Sequence, residues 1–370
     1  MFNLIIAVFF TILLFFCTIL IHEAGHFIAA FYSRVAIQRI GIGLGKPWWL
    51  KKTTNYEWAF SPWLLGGYVR LLNSRIEKVS DDKKECCFDK KSIGVRCLIL
   101  AAGPAANILI AWAALTAVFF LGYQATAPVI ERVLPHSIAA SSGLTNGDKF
   151  IQMNKKTVKS WQDVGMQLVI ALDKKELLVL VENSSGERRQ IFMNLDAWQK
   201  AKINEKDTVL ASLGLVPLQG QASQKHIEGH SFKVAVKEGL AQLFVLLAFF
   251  CALLKQLILG KIALSLLLGP LTVFTLAMQS FLQGITVFLT TVASLNLAVA
   301  FVNLLPVPGL DGGSMLYALI EKIRNKPISI PMEVLLHRLA IIFFSVLFVQ
   351  LILNDISHYL IHWQKYSLKQ

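Results

Sequence analysis

Five long apolar runs constrain the fold of this chain more than any other feature of its sequence. Each run reaches the roughly 20 residues that a helix needs to cross a bilayer. The chain is also 55% hydrophobic with a mean hydropathy of +0.56, which is too apolar for an ordinary soluble protein of 370 residues. The runs are Phe2–Tyr32, Ile93–Leu121, Leu240–Leu259, Ile262–Pro306 and Val334–Leu353. The sequence therefore predicts a mainly α, polytopic membrane protein.

The number of membrane crossings depends on direction as well as on length. We expect about four transmembrane helices, within residues 1–34, 93–122, 281–317 and 318–370. Leu240–Leu259 is long enough to span the membrane. One extra crossing would, however, reverse the next helix and move its end away from the polar residues of the first run. We therefore interpret residues 223–280 as interfacial or re-entrant helices. Two extra crossings would also preserve the direction, and that alternative stays open.

Basic residues are concentrated between the first two apolar runs. No Lys or Arg precedes Arg34, and many follow it up to Arg96. The positive-inside rule then places this loop in the cytoplasm and the N-terminus outside. The net charge of +13 would also suit a protein that binds nucleic acid. Because membrane topology already accounts for the charge, we expect no nucleic-acid partner, and membrane lipids are the surroundings.

Two regions outside the apolar runs have patterns of their own. Residues 35–92 alternate apolar and polar residues, with glycines and interleaved tryptophans, which predicts a membrane-associated β-loop. An ordinary amphipathic loop is the alternative. Residues 123–222 form the one extended polar region, with strand-like runs at Glu176–Glu182 and Arg189–Leu195 and a helix-like run at Trp161–Leu172. They predict a small α/β domain outside the membrane.

The first apolar run contains the sequence His22-Glu23-Ala24-Gly25-His26. On a helix, H-E-x-x-H puts two imidazoles on one face with a carboxylate beside them, which suits two zinc ligands and a general base. The motif arises by chance in soluble proteins, and a buried histidine often makes only a structural hydrogen bond. Ionisable groups at membrane depth are costly, however, and usually functional. We therefore predict a hydrolytic Zn²⁺ site with His22 and His26 as ligands and Glu23 as the catalytic base.

Two histidines leave a catalytic zinc one protein ligand short. Asp311 is the best candidate, because it follows an apolar helix in a Pro- and Gly-rich segment whose broken backbone must face protein or a wet cavity. Asp311 could instead cap a helix that begins near Ser314. Asn303, in the same segment, could hydrogen-bond the reacting oxyanion or the substrate backbone. A plain interhelical hydrogen bond from Asn303 is equally compatible with the sequence.

Together these motifs resemble the site-2 protease family of intramembrane zinc metalloproteases, and most closely its sigma-E-regulating bacterial subgroup. The resemblance covers nearly the whole chain and depends on five ordered motifs. It implies that Pro306 and Pro308, with Asn303, act in substrate binding or transition-state stabilisation. The motifs are His22-Glu23-x-x-His26, Gly41-Ile42-Gly43-Leu44-Gly45, Leu65-Gly66-Gly67-Tyr68-Val69, Gly103-Pro104-x-x-Asn107 and Leu310-Asp311-Gly312-Gly313.

The polar region resembles a PDZ domain through Ser142-Gly143-Leu144 and Gly147-Asp148. The subgroup typically carries two tandem PDZ domains, whereas this chain has room for one. The resemblance implies a protein of the bacterial inner membrane with its PDZ-like domain in the periplasm. It also implies cleavage of single-pass membrane proteins, namely an anti-sigma factor and remnant signal peptides.

Two other functional classes fit some of the same residues. A metal transporter or sensor would use the two histidines and Asp311, but it has no need of Glu23 beside them. An inactive scaffold would use only the PDZ-like domain. A helical substrate has no free main-chain groups, so we also hypothesise that the edge of the predicted sheet extracts it as an added strand.

Overall fold

The computed structural model describes residues 2–54, 56–196, 198, 209–218, 220 and 223–367. The helices are α1 (Phe2–Tyr32), α2 (Ile93–Leu121), α3 (Ile138–Ser141), α4 (Trp161–Ala171), α5 (Val209–Ser212), α6 (Phe232–Ile258), α7 (Pro270–Gln283), α8 (Ile285–Asn303), α9 (Asp311–Arg324) and α10 (Ile330–Ser367). The strands are β1 (Ile37–Leu44), β2 (Trp49–Lys52), β3 (Glu57–Phe60), β4 (Trp63–Leu71), β5 (Tyr123–Thr126), β6 (Ile130–Val133), β7 (Lys149–Met153), β8 (Lys156–Thr157), β9 (Glu176–Glu182), β10 (Arg188–Asn194), β11 (Leu215–Pro217) and β12 (Gln224–Ile227).

The chain divides into two compact units. The first is made of Met1–Ala114 with Pro270–Leu353, and the second of Leu115–Gly269 with Asn354–Gln370. The candidate ligands His22, His26 and Asp311 all belong to the first unit. The predicted extramembrane region belongs to the second.

A four-stranded sheet follows α1, as the alternating pattern of residues 35–92 predicts. Its strand order is β2-β3-β1-β4, with β1 parallel to β3 and antiparallel to β4. Both β1 and β4 pack against α1. The contact buries a small apolar core that includes Ala30, Val35, Ile37, Ile40 and Ile99. The sheet is therefore held against the helix that carries the H-E-x-x-H motif.

Short and long apolar helices complete the first unit. Helix α1 packs against α7 and α8, which are separated at Gly284, where a φ of 125° ends the first helix and starts the second. The amide of Asn296 in α8 donates to the hydroxyl of Thr18 in α1 at 3.3 Å. Because both residues are buried, this polar contact fixes how the two apolar helices face each other.

Within the described part of the chain, five helices are long and apolar enough to cross a membrane, which supports a multi-pass membrane protein. The sequence predicts about four, and the difference lies in α6, which is one continuous helix of 27 residues. The interfacial or re-entrant interpretation rests on the direction of the next helix, which neither length nor composition reports, and it stays a prediction. The candidate spans are Phe2–Tyr32, Ile93–Leu121, Phe232–Ile258, Ile285–Asn303 and Ile330–Ser357.

The second unit contains a small α/β arrangement within residues 123–222. A sheet of order β10-β9-β7-β8 packs its alternate side chains into one core with α4, including Phe150, Leu177, Val179 and Met193. The hydroxyl of Ser160 accepts from the Asp163 amide, and the Asp163 carboxylate accepts from the Ser160 amide, so a capping box starts α4. These elements agree with the predicted strands and helix to within a residue. Part of the predicted domain, residues 199–208, lies outside the described residues.

Candidate metal centre

The two histidines of the motif lie one turn apart on α1 and on the same face. Their Nε2 atoms are 3.2 Å apart, and His22 is only 8% exposed. Residues four apart on a helix are neighbours, so an uninterrupted helix is sufficient to bring the two rings together. The run around them is apolar and contains no proline, which lets α1 continue past the motif to Tyr32.

Asp311 meets the histidine pair from a distant part of the chain. Its Oδ2 atom lies 3.1 Å from His22 Nε2 and 3.3 Å from His26 Nε2. The alternative of a helix cap is not what the structure shows, because α9 begins at Asp311 itself and its N-cap, Leu310, makes no side-chain cap. The carboxylate is therefore free to face the imidazoles.

The spacing of the three atoms fits a tetrahedral metal. Ligand atoms bound at about 2.0–2.1 Å in a tetrahedral arrangement lie about 3.3 Å from one another. The three observed separations, 3.1, 3.2 and 3.3 Å, match that value. Two imidazoles and one carboxylate also make up a ligand set typical of catalytic zinc, which leaves a fourth position for water or substrate. The residues that are present fit a zinc ion.

Helix α2 fixes the orientation of the His26 ring. The Nδ1 atom of His26 lies 2.8 Å from the carbonyl oxygen of Ile99, to which it donates its proton. The Nε2 atom is then left with a free lone pair toward Asp311. The Nδ1 atom of His22 is buried without a hydrogen-bond partner among the described residues.

Two glycines allow α1 and α2 to approach main chain to main chain. A Cβ atom on Gly103 would lie 2.4 Å from His26 Nε2 and 2.9 Å from His22 Nε2. A Cβ atom on Gly25 would lie 2.3 Å from the carbonyl oxygen of Ala102. Neither distance is possible for real atoms, so any side chain at position 25 or 103 would push the two helices or the imidazoles apart.

The Glu23 side chain lies on the side of α1 that faces the four-stranded sheet β2-β3-β1-β4. A Cβ atom on Gly67 of β4 would lie 2.8 Å from Glu23 Cγ, so this strand passes directly over the acid. The main-chain N–H of Val69 faces the Glu23 carboxylate. Beside them is a cavity of about 20 Å³, lined by Glu23 and by residues of α1, β1 and β4, which is room for about one water molecule.

The end of α8 and the loop that follows it hold the remaining predicted residues. The amide of Asn303 donates to the carbonyl of Val299 at 3.0 Å, within its own helix, and among the described residues no hydrogen bond joins it to the ligand candidates. Pro306 is exposed and Pro308 is half-buried. The structure thus places Asn303 at the end of α8 and the two prolines in the loop before Asp311, and their roles stay predictions.

Sequence reasoning did not identify two contributors to the site. The Ile99 carbonyl is a main-chain group, and no side-chain pattern reports it. Gly67 is signalled weakly, since a glycine inside a strand often marks a close approach, here to Glu23. Two further glycines, Gly312 and Gly313, allow the turn before α9, because their Cβ atoms would lie 2.3 and 2.1 Å from the carbonyl oxygens of Leu304 and Val307.

A bundle of membrane helices in which an H-E-x-x-H helix meets a distant aspartate defines a membrane-embedded metal-dependent hydrolase. Comparison with known proteins agrees. The model of peptidase family M50 matches residues 10–347. The regulator of sigma-E protease RseP of Escherichia coli K12 is 25% identical over 92% of this chain and 96% of its own length. The regulator of sigma E protease of Haemophilus influenzae is 24% identical over 90% of this chain and 95% of its own length.

A protein of Neisseria meningitidis serogroup A that is named as a zinc metalloprotease is 26% identical over 86% of this chain and 92% of its own length. This chain belongs to peptidase family M50, the site-2 protease family, and it is a zinc metalloprotease of the membrane. The resemblance stated from its motifs is therefore confirmed.

Proposed function

We propose that this protein is an intramembrane endopeptidase that hydrolyses peptide bonds within or near the transmembrane helices of single-pass proteins. The observation that carries the proposal is the triangle of His22 Nε2, His26 Nε2 and Asp311 Oδ2, with sides of 3.1–3.3 Å, on helices that are long and apolar enough to span a bilayer. A purely structural role does not account for these three ionisable side chains, because placing such groups within a membrane costs free energy.

In this mechanism His22, His26 and Asp311 hold the metal. Zinc, when bound, acts as a Lewis acid that activates water and polarises the scissile carbonyl. Glu23 takes a proton from the attacking water and returns it to the leaving amine. Its place between α1 and β4, beside a cavity with room for about one water, suits that role. Asn303 donates a hydrogen bond to the oxyanion once its amide leaves the Val299 carbonyl.

The free edge of β4 is the part of the sheet that suits substrate binding. Of the two outer strands, β2 and β4, only β4 is shown beside Glu23, through Gly67 and Val69. A substrate segment added to this edge as a strand would have its helical hydrogen bonds replaced by those of the ladder, and its main chain would lie next to the acid.

Proline substitution tests the role of this edge. Val69→Pro removes an N–H from β4, whereas Leu50→Pro makes the same change in β2 at the opposite edge. The N–H of Val69 also faces Glu23, so each variant is assayed on a membrane-embedded helical substrate and on an unstructured peptide. We expect Val69→Pro to lower cleavage of the helical substrate at least tenfold more than cleavage of the peptide, and Leu50→Pro to leave both rates within about twofold. Equal losses on the two substrates, or equal rates for the two variants, would contradict strand addition at β4.

The outer region is proposed to be a single PDZ-like domain in the periplasm. Its small α/β core and the turn in which Gly147 has a φ of 85° before the buried Asp148 support this. The alignment with the Escherichia coli relative is 434 positions long and this chain has only 370 residues, so the alignment contains gaps where the relative has segments that this chain lacks. That difference agrees with one PDZ-like domain in place of two.

Anti-sigma factors and remnant signal peptides are the proposed substrates, and the bacterial inner membrane is the proposed location. The names of the relatives, which describe regulators of sigma E, support this assignment. The basic loop between α1 and α2 supports a cytoplasmic placement of the β-loop sheet.

The decisive experiment separates zinc binding from cleavage. Purified protein is reconstituted with a single-pass model substrate, and zinc content and cleavage are both measured. Glu23→Gln should keep its zinc and lose cleavage by about 100-fold or more, because it removes only the proton acceptor. Glu77→Gln, which changes an acid paired with Arg70 at 3.9 Å, serves as the matched control and should cleave normally. Full cleavage by Glu23→Gln would refute the mechanism.

A further inference from the structure

An ion pair joins α2 to the helix that carries Asp311. Arg96 Nη1 donates to Glu321 Oε2 at 2.9 Å, and Arg96 is only 7% exposed. The Arg96 guanidinium also lies 5.5 Å from the centre of the Phe88 ring. The Glu321 side chain is partly exposed, so only the arginine of this pair is buried. Such an ion pair is weak evidence for stability, because well-packed apolar side chains often stabilise the same position equally well. Its presence here calls for a role that apolar residues could not perform.

Arg96 belongs to the stripe of α2 that faces the histidine pair. Ile99, whose carbonyl accepts from His26, follows three residues later, and Gly103, which touches both imidazoles, follows four residues after that. Spacings of three and four place all of them on one face of the helix. The same face of α2 thus contacts the two imidazoles and Glu321.

Asp311 and Glu321 likewise share one face of α9. Ser314, the fully buried Ala318 and Glu321 follow Asp311 at spacings of three, four and three residues. Helix α9 therefore touches its neighbours at two points about 15 Å apart along its axis. At one point Asp311 meets the imidazoles, and at the other Glu321 meets Arg96.

We propose that Arg96 and Glu321 are positioning residues that set the rotation and height of α9 so that the Asp311 carboxylate reaches its place beside the imidazoles. A carboxylate at the surface of a helix lies about 5 Å from the axis, so a 10° rotation of α9 displaces it by about 0.9 Å. Metal ligands must sit within about 0.2 Å of their ideal distances. An apolar contact at position 321 would allow such a rotation, whereas a directional charged hydrogen bond resists it.

This inference depends on the proposed metal site, and the test keeps the two apart. Zinc affinity is measured on the full-length protein in detergent by competition with a chelator, and thermal stability is measured alongside. Parent protein that binds no zinc would refute the metal site itself. Parent protein that binds zinc, with variants that bind it equally well, would overturn only the role of the ion pair.

The informative variants are Glu321→Met, Arg96→Met and the double variant, because a glutamine at position 321 could still accept from Arg96. We expect each of them to bind zinc about 10- to 100-fold more weakly than the parent, the range typical for groups that orient metal ligands. Each single variant leaves a charged group without its partner and can lose stability, but the double variant, with two methionines, leaves none and should melt near the parent temperature. Parent-like zinc affinity in the double variant would show that the pair only stabilises the fold, and would overturn the proposal.

A second ion pair of the same length provides the matched control. Arg75 Nη1 lies 2.9 Å from Glu333 Oε1, and it joins the loop before α2 to α10 rather than to α9. Glu333→Met makes the same change in the same unit and should leave zinc affinity within about twofold of the parent. A loss equal to that of Glu321→Met would mean that any broken ion pair weakens the site, and it would also overturn the proposal.

Discussion

Gly103→Ala is the smallest change that should disable the metal site. The new methyl group would lie 2.4 Å from His26 Nε2 and 2.9 Å from His22 Nε2, whereas ordinary contacts begin at 3.4 Å. The His26 ring must therefore move by about 1 Å, several times the roughly 0.2 Å tolerance of a metal ligand. The movement is also opposed by the hydrogen bond between His26 Nδ1 and the Ile99 carbonyl.

The expected loss is a zinc affinity about 10- to 100-fold weaker, which corresponds to about 1.4–2.8 kcal/mol. Overpacking should also lower the unfolding free energy by about 1–3 kcal/mol. Gly94→Ala is the matched control, because it makes the same change in the same helix at a position with no atom within 4 Å of the new methyl. It should leave zinc affinity unchanged. If Gly103→Ala binds zinc as tightly as Gly94→Ala, the close approach of α2 to the imidazoles is not as described.

Two further predictions concern the metal site and the small α/β arrangement within residues 123–222. Removal of zinc with a chelator should abolish cleavage, and Zn²⁺ but not Mg²⁺ should restore it. The reason is that imidazole ligands suit zinc, whereas Mg²⁺ prefers all-oxygen sites. Recovery of cleavage with Mg²⁺ alone would contradict the proposed ligand set. The ammonium of Lys255 holds the pKa of Asp173 below its usual range. The carboxylate therefore stabilises the folded state at pH values above its unfolded pKa of about 4. This stabilisation is lost as the pH falls through the lowered pKa of the folded state. Since both side chains are partly exposed, Asp173→Asn should lower the free energy of unfolding by less than about 1 kcal/mol at pH 7. The melting temperatures of parent and variant should converge below about pH 4. A difference in melting temperature that stays constant across pH would contradict the ion pair.

Local chemistry explains why much of the site was predictable from the sequence. His22 and His26 needed only a continuous helix to meet, and ionisable residues within an apolar run are conspicuous. Asp311 was found because prolines and glycines interrupt an apolar segment just before it. Its contact with the histidines depends on nearly 300 intervening residues, yet no other acid stood in such a setting.

The remaining features depend on packing that no local pattern reports. Helix α9 begins at Asp311 rather than near Ser314, because the two glycines after Asp311 pack against carbonyl oxygens of the preceding loop. The number of candidate spans exceeds the predicted four because α6 has the length of a span, whereas the smaller number follows from chain direction. The amide of Asn303 faces its own helix, a choice among rotamers that the sequence does not encode.

The contact between Gly25 and the Ala102 carbonyl has a consequence for reading related sequences. A chain that keeps the letters H-E-x-x-H but has a larger residue at the position of Gly25 could not close α1 onto α2 in this way. We expect such chains to have lost hydrolysis while keeping the fold. The residue at the position of Gly25 would then distinguish active proteases from inactive relatives on the basis of sequence alone.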